Sequence, residues 1–186
     1  MKKVFVVGYA KQYAKWINNH ELTDNMEEAD IVLFTGGEDV DPSLYGCEKH
    51  PTTYSNIKRD LEEKAIFEKV KPHQLCLGIC RGSQFLCVMN GGLLIQNVGK
   101  HAGFGTHQII HKRDDITSTH HQMQYPFNLK YGEDYTTLYF ASRRSPYYEG
   151  DKVDYPPHEP EIVLYHKEGM PKCLAIQGHP EMMRAE

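Results

Sequence analysis

Five residues, Gly78-Ile79-Cys80-Arg81-Gly82, set a nucleophile between two glycines. The apolar run Gln74 to Gly78 leads into them, and Ser83 to Asn90 reads as a helix that Gly91-Gly92 would close. Strand, sharp turn, nucleophile, helix is the cysteine counterpart of the G-x-S-x-G elbow. Glycines suit such a turn because side chains at the flanks would collide with neighbouring elements. The turn puts Cys80 at a helix N-terminus, whose unsatisfied N–H groups favour an anion. The N–H of Arg81, next after the nucleophile, is then poised to hold an oxyanion. A buried cysteine in an ordinary strand–turn–helix would look the same, so the partner groups must decide.

A cysteine nucleophile needs a base, and the base needs a group to orient it. Gln177-Gly178-His179-Pro180-Glu181, at the end of the last apolar run, supplies both, with His179 as base and Glu181 as its orienter. A third segment, Thr35-Gly36-Gly37-Glu38-Asp39-Val40-Asp41-Pro42, follows the strand-like run Ala29 to Phe34. It is either a plain turn or a loop at the carboxyl end of a parallel sheet, where α/β ligands bind. In the second case a Gly37 N–H aimed at the site would complete an oxyanion hole.

TGG at 35–37, GICRGSQ at 78–84 and QGHPE at 177–181, in that order, resemble the class I glutamine amidotransferase superfamily over nearly the whole chain. The resemblance implies a flavodoxin-like three-layer α/β/α fold with a mostly parallel central sheet. It implies a Cys80–His179–Glu181 triad, an oxyanion hole from the Gly37 and Arg81 backbones and a γ-glutamyl thioester. Gly36 and Gln84 match positions beside the substrate. A finer resemblance lies in TGGEDVDPSLYG (35–46), the Arg59-Asp60 pair and STHHQM (118–123). These are similar to the branch that includes γ-glutamyl-γ-aminobutyrate hydrolases, and they add His120, His121 and Gln122 to the substrate-binding set.

The stretch between the first strand and ADIVLF is short for that branch. Trimmed versions suit a glutaminase that releases glutamate and ammonia and hands the ammonia to a separate synthetase. The leading expectation is therefore a glutaminase-type enzyme, with a small γ-glutamyl substrate and a possible ATP-dependent synthetase partner chain. The alternative is a stand-alone hydrolase of γ-glutamyl amines. Two further readings are a non-catalytic binding protein on this fold and a deglycase-like or peptidase-like relative on the same elbow; the intact Cys, His and Glu set speaks against the first, and the HPE ending against the second.

These groups must be positioned by elements that the remaining sequence describes. Lys3 to Gly8 reads as a buried strand, Tyr9 to Asn19 as a helix, and Tyr54 to Val70 as an amphipathic helix with Ile57, Leu61, Ala65, Ile66 and Val70 on one stripe. Leu93 to Val98 reads as a short strand or turn. Thr136 to Ala141, Glu161 to Tyr165 and Leu174 to Gln177 are strand candidates, and Ser142 to Pro160, rich in Tyr, Pro and charge, reads as a surface excursion. Strands alternating with helices argue for a parallel sheet covered on both faces. A length of 186 residues fits one domain over 1–186.

Composition excludes several classes. A net charge of -4 without long charge runs, and 12 dispersed tyrosines without interleaved basic residues, argue against nucleic acid. No apolar run approaches the roughly 18 residues of a membrane span, and Val4 to Val7 is too short for a signal core. Five cysteines, an odd number with no CxxC, point to a reducing cytoplasm rather than a disulfide framework. No Walker A or dinucleotide motif appears, so no cofactor is expected. His101, His107 and His111 sit in a glycine-containing loop at poor ligand spacing, and His120-His121 has no nearby Cys or Asp at ligand spacing, so no metal is expected.

Overall fold

The computed structural model describes residues 1–8, 10–103, 105–109, 115–142 and 144–183; His111 lies outside them. The strands in chain order are β1 (Lys2–Val6), β2 (His20–Leu22), β3 (Ile31–Phe34), β4 (Leu75–Ile79), β5 (Leu93–Ile95), β6 (Asn97–Val98) and β7 (Gly105–Gln108). They continue with β8 (Asp115–Ser118), β9 (Met123–Tyr125), β10 (Tyr135–Phe140), β11 (Tyr148–Glu149), β12 (Pro160–Tyr165) and β13 (Cys173–Ile176). The α-helices are α1 (Ile57–Phe67) and α2 (Arg81–Met89).

Seven strands form one sheet in the order β10-β12-β13-β4-β3-β1-β2. From β13 to β2 every pairing is parallel, while β10 and β12 add an antiparallel edge. The period of two assigns alternate residues to opposite faces. Val32, Phe34 and Cys76 join Phe67 of α1 and Phe85 and Leu86 of α2 in one core. Leu33, Leu77, Ile79 and Ile176 join Tyr13, Trp16, Ile109 and Ile116 in the other. The fold is thus flavodoxin-like, with a mostly parallel sheet as its middle layer.

The outer layers are unequal. Tyr9 to Asn19 does not form the expected helix, and its regular part is a 3-10 turn, Lys11–Ala14. The second face is covered by this turn and by the pair β7–β8. Helix α1 also departs from expectation. Ile57 and Leu61 are exposed, and the buried side chains are Asp60, Glu63 and Phe67. The apolar stripe was misleading because the inward face carries charge with a buried partner. Residues 142–160 are more than a surface excursion: β11 pairs with β6, and Ser145 and Glu159 are buried. Among the described residues no helix is long and apolar enough to cross a membrane.

Candidate active site

Register brings the three motifs together. Phe34 of β3 pairs with Gly78 of β4, and Ile79 pairs with Ile176 of β13. The residues that follow these three adjacent strands, Thr35-Gly36-Gly37, Cys80-Arg81 and Gln177-Gly178-His179, therefore emerge side by side at the carboxyl edge of the sheet. This is where parallel α/β sheets bind ligands.

Cys80 has φ 52° and ψ -111°, a left-handed conformation that a side-chain-bearing residue adopts only under constraint. The constraint is visible. Its N–H donates to Ile176 O at 2.8 Å, and its carbonyl accepts from the Ser83 N–H at 3.0 Å and the Ser83 hydroxyl at 2.6 Å. A Cβ on Gly78 would lie 2.5 Å from Gly82 O, and one on Gly82 would run into Phe34 O. Both glycines are there because backbones touch.

His179 is held from two sides in this corner. Its Nδ1 lies 2.7 Å from Glu181 Oε1, and its backbone N–H donates to Thr117 Oγ1 at 2.6 Å. Burial disfavours the charged ring, but hydrogen bonding with Cys80 and Glu181, and the negative charge each can carry, push its pKa up to about 10. Tyr13, from the 3-10 turn, lies with its ring centroid 6.0 Å from the imidazole. Gly36 sits in this same corner, against Tyr13 and His179, and does not border the cavity over Cys80.

That cavity has a volume of about 190 Å³. Gly37, Cys80, Arg81, Gln84, His120, His121 and Gln122 all border it. Among the described residues neither the Gly37 nor the Arg81 N–H finds an acceptor within the chain. Gln84 Nε2 donates to Gln122 O at 2.8 Å, and Gln122 Nε2 to Thr53 Oγ1 at 3.1 Å. His121 Nε2 lies 3.1 Å from Asp39 Oδ1, and hydrogen bonding to Asp39 raises its pKa against the effect of burial. The wall facing Cys80 is therefore polar and internally braced.

A family model for peptidase C26 matches residues 14–136. The chain belongs to this family. Protein NtpR of Enterococcus hirae is 31% identical over 108 residues, 57% of this chain and 45% of that protein. The glutamine amidotransferase-like protein YvdE homolog of Lactococcus lactis subsp. cremoris is 37% identical over 84 residues, 42% of this chain and 45% of that one. The chain thus matches less than half the length of either relative. The crystal structure of a glutamine amidotransferase from Thermotoga maritima shares the fold, with a TM-score of 0.57 at 15% identity over 97% of this chain and 76% of that one.

In this peptidase C26 member the residues that the sequence left unassigned are those that hold the site's backbone. The Arg81 side chain turns away from the cavity. It is buried, ion-paired to Asp60 and Glu63 of α1, with its guanidinium 5.0 Å from the Phe85 ring centroid. Arg59 bonds Glu63 through Nε at 2.9 Å and donates to Gly36 O at 3.0 Å. Asp60 also accepts from the Asp41 N–H at 2.8 Å. Two arginines and two carboxylates thus tie the Gly36–Gly37 loop to the elbow. The Arg59-Asp60 pair was the one signal of this in the sequence. Tyr13 and Thr117 had none, because only folding brings them to His179.

Proposed function

We propose that the protein is a cysteine-nucleophile amidohydrolase of glutaminase type, hydrolysing the γ-glutamyl amide of glutamine to glutamate and ammonia. The observation that carries this reading is the strained Cys80 elbow, with a Glu181-bonded His179 whose pKa is raised to about 10 in part by Cys80 itself. The thiol passes its proton to His179, and the sulfur attacks the γ-carbonyl. Its oxygen becomes anionic where the Gly37 and Arg81 N–H groups can donate to it. His179 returns the proton to the leaving nitrogen as the C–N bond breaks, giving ammonia and a thioester. Water, deprotonated by His179, then releases glutamate and restores the thiol. The ammonia would pass to an ATP-dependent synthetase on another chain.

A second reading, a self-sufficient hydrolase of γ-glutamyl amines, is favoured by His121. Hydrogen bonding to Asp39 raises its pKa and so favours the protonated form of a ring that borders the cavity, where a leaving group that carries a carboxylate would lie. Glutamate release from L-glutamine and from γ-glutamyl-γ-aminobutyrate, measured side by side, separates the two. Slow or glutamine-only turnover supports the glutaminase, and brisk turnover of the conjugate alone supports the hydrolase. In either case Cys80→Ala should abolish turnover. Residual activity within about tenfold of wild type, a barrier change of only about 1.4 kcal/mol, would sink the nucleophile assignment.

A further inference from the structure

Beside this cavity, three side chains far apart in sequence converge. His101 follows β6, His120 follows β8, and Glu161 lies on β12; all three are buried. Each offers one ligand atom, and these atoms all lie within 4.8 Å of one another. Two donors at about 2.1 Å from a tetrahedral ion sit roughly 3.4 Å apart.

The hydrogen bonds around the cluster fix both imidazoles in matching ways. His120 Nδ1 lies 2.8 Å from Gln122 O, a carbonyl that can only accept. Nδ1 therefore carries the proton, and Nε2 is the ligating atom. His101 Nε2 lies 3.1 Å from Glu159 Oε2, a fully buried carboxylate that also accepts from the Tyr148 hydroxyl at 2.6 Å. Nδ1 is then the ligating atom of His101. A carboxylate or a backbone carbonyl behind each histidine is the arrangement that orients metal-bound imidazoles. The His101 and His120 rings lie 4.8 Å apart between centroids, and the His120 N–H donates to His101 O at 3.0 Å.

We propose that His101, His120 and Glu161 bind a divalent metal ion of the zinc class, with Glu159 as the positioning residue behind His101. Two imidazoles and one carboxylate form a ligand set that suits zinc, with a fourth position for a further donor. The ion's charge matches the two buried carboxylates, Glu159 and Glu161. It would fasten His101 and His120 to Glu161 of β12, and so brace the His120–Gln122 wall of the cavity. Cys80 is not among the ligands, and Cys80→Ala should keep the site.

The test uses the full chain, stripped with a chelator, dialysed, and titrated with Zn²⁺ by calorimetry and with Co²⁺ by visible absorption. The expected result is one ion per chain and a cobalt spectrum of nitrogen and oxygen ligands without a thiolate charge-transfer band. His101→Gln and Glu161→Gln should each weaken Zn²⁺ binding by more than about 100-fold. Glu159→Gln should weaken it about 10- to 100-fold, as loss of an outer-shell partner does. His73→Gln, at an exposed histidine, should bind like wild type. No saturable binding, a thiolate band, or equal affinity in all variants would overturn the site. The cobalt spectrum of the unaltered chain decides the question even if a variant fails to fold.

Discussion

At Cys80 the chain accepts a backbone conformation that costs on the order of 1–3 kcal/mol, and the surrounding backbone contacts hold it there. The pentapeptide pointed to this strain, since glycines on both sides of a cysteine at a strand end suit a sharp turn, but an ordinary turn would share them and only the partner groups decided. His179 and Glu181 were legible for a similar reason: a two-residue spacing lets a carboxylate reach back to its neighbour's ring. The imidazole's pKa rises from an ordinary 6.5 to about 10 in the folded state. A raised pKa means that the native state binds the proton more tightly than the unfolded chain. Its stabilisation is fully present below pH 6.5, and is lost as pH climbs through about 10. Glu181→Gln removes part of the cause. The stability gap between wild type and this variant, measured by urea unfolding from below pH 6.5 to above pH 10, should be widest at the acid end and close at the alkaline end. A gap that stays constant across this window would show that Glu181 does not act through the His179 proton.

Of the helices that form, the one that the sequence described least well is α1. Its helical period was plain, but its orientation was not. Hydrophobic patterning assigns the inward face to apolar residues, whereas α1 turns Asp60 and Glu63 inward to meet Arg81 and Arg59. The reason lies in what the helix must hold. It fixes the Gly36–Gly37 loop through Arg59, the Asp41 turn through Asp60 and the elbow helix through Arg81. Charges buried in this way are tolerable only as a balanced set. Asp60→Ala leaves the Arg81 guanidinium buried with one partner fewer and strands the Asp41 N–H. It should lower unfolding stability by about 3–5 kcal/mol and reduce turnover more than Leu61→Ala, an exposed change on the same helix. Denaturant midpoints and kcat for the two variants test this. Equal effects would show that α1 acts through bulk packing alone.

Across the whole molecule the sheet order explains why motifs far apart in the chain share one edge. It also explains why that order was not readable from sequence. Apolar runs announce strands but do not name their neighbours, and here the last strand to be made, β13, inserts between β4 and β12. The antiparallel edge β12–β10 reaches the rest of the sheet through β13. The thin second face, covered by a 3-10 turn and a strand pair, offers little to compensate. A chain ended after Lys172 would lose β13, with Cys173, Ala175 and Ile176 buried on it, and both of its ladders. A fully buried large apolar side chain contributes about 1.5–3 kcal/mol, and a domain has only about 5–15 kcal/mol in total. Removing a central strand, and with it the anchorage of two more, exceeds that margin. The shortened chain should show no cooperative melting by circular dichroism, whereas Glu181→Gln, which changes one side chain beyond the strand, should melt cooperatively. A sigmoidal transition in the shortened chain would mean that β12 can dock on β4 without β13, and that the sheet tolerates a different order from the one that builds this site.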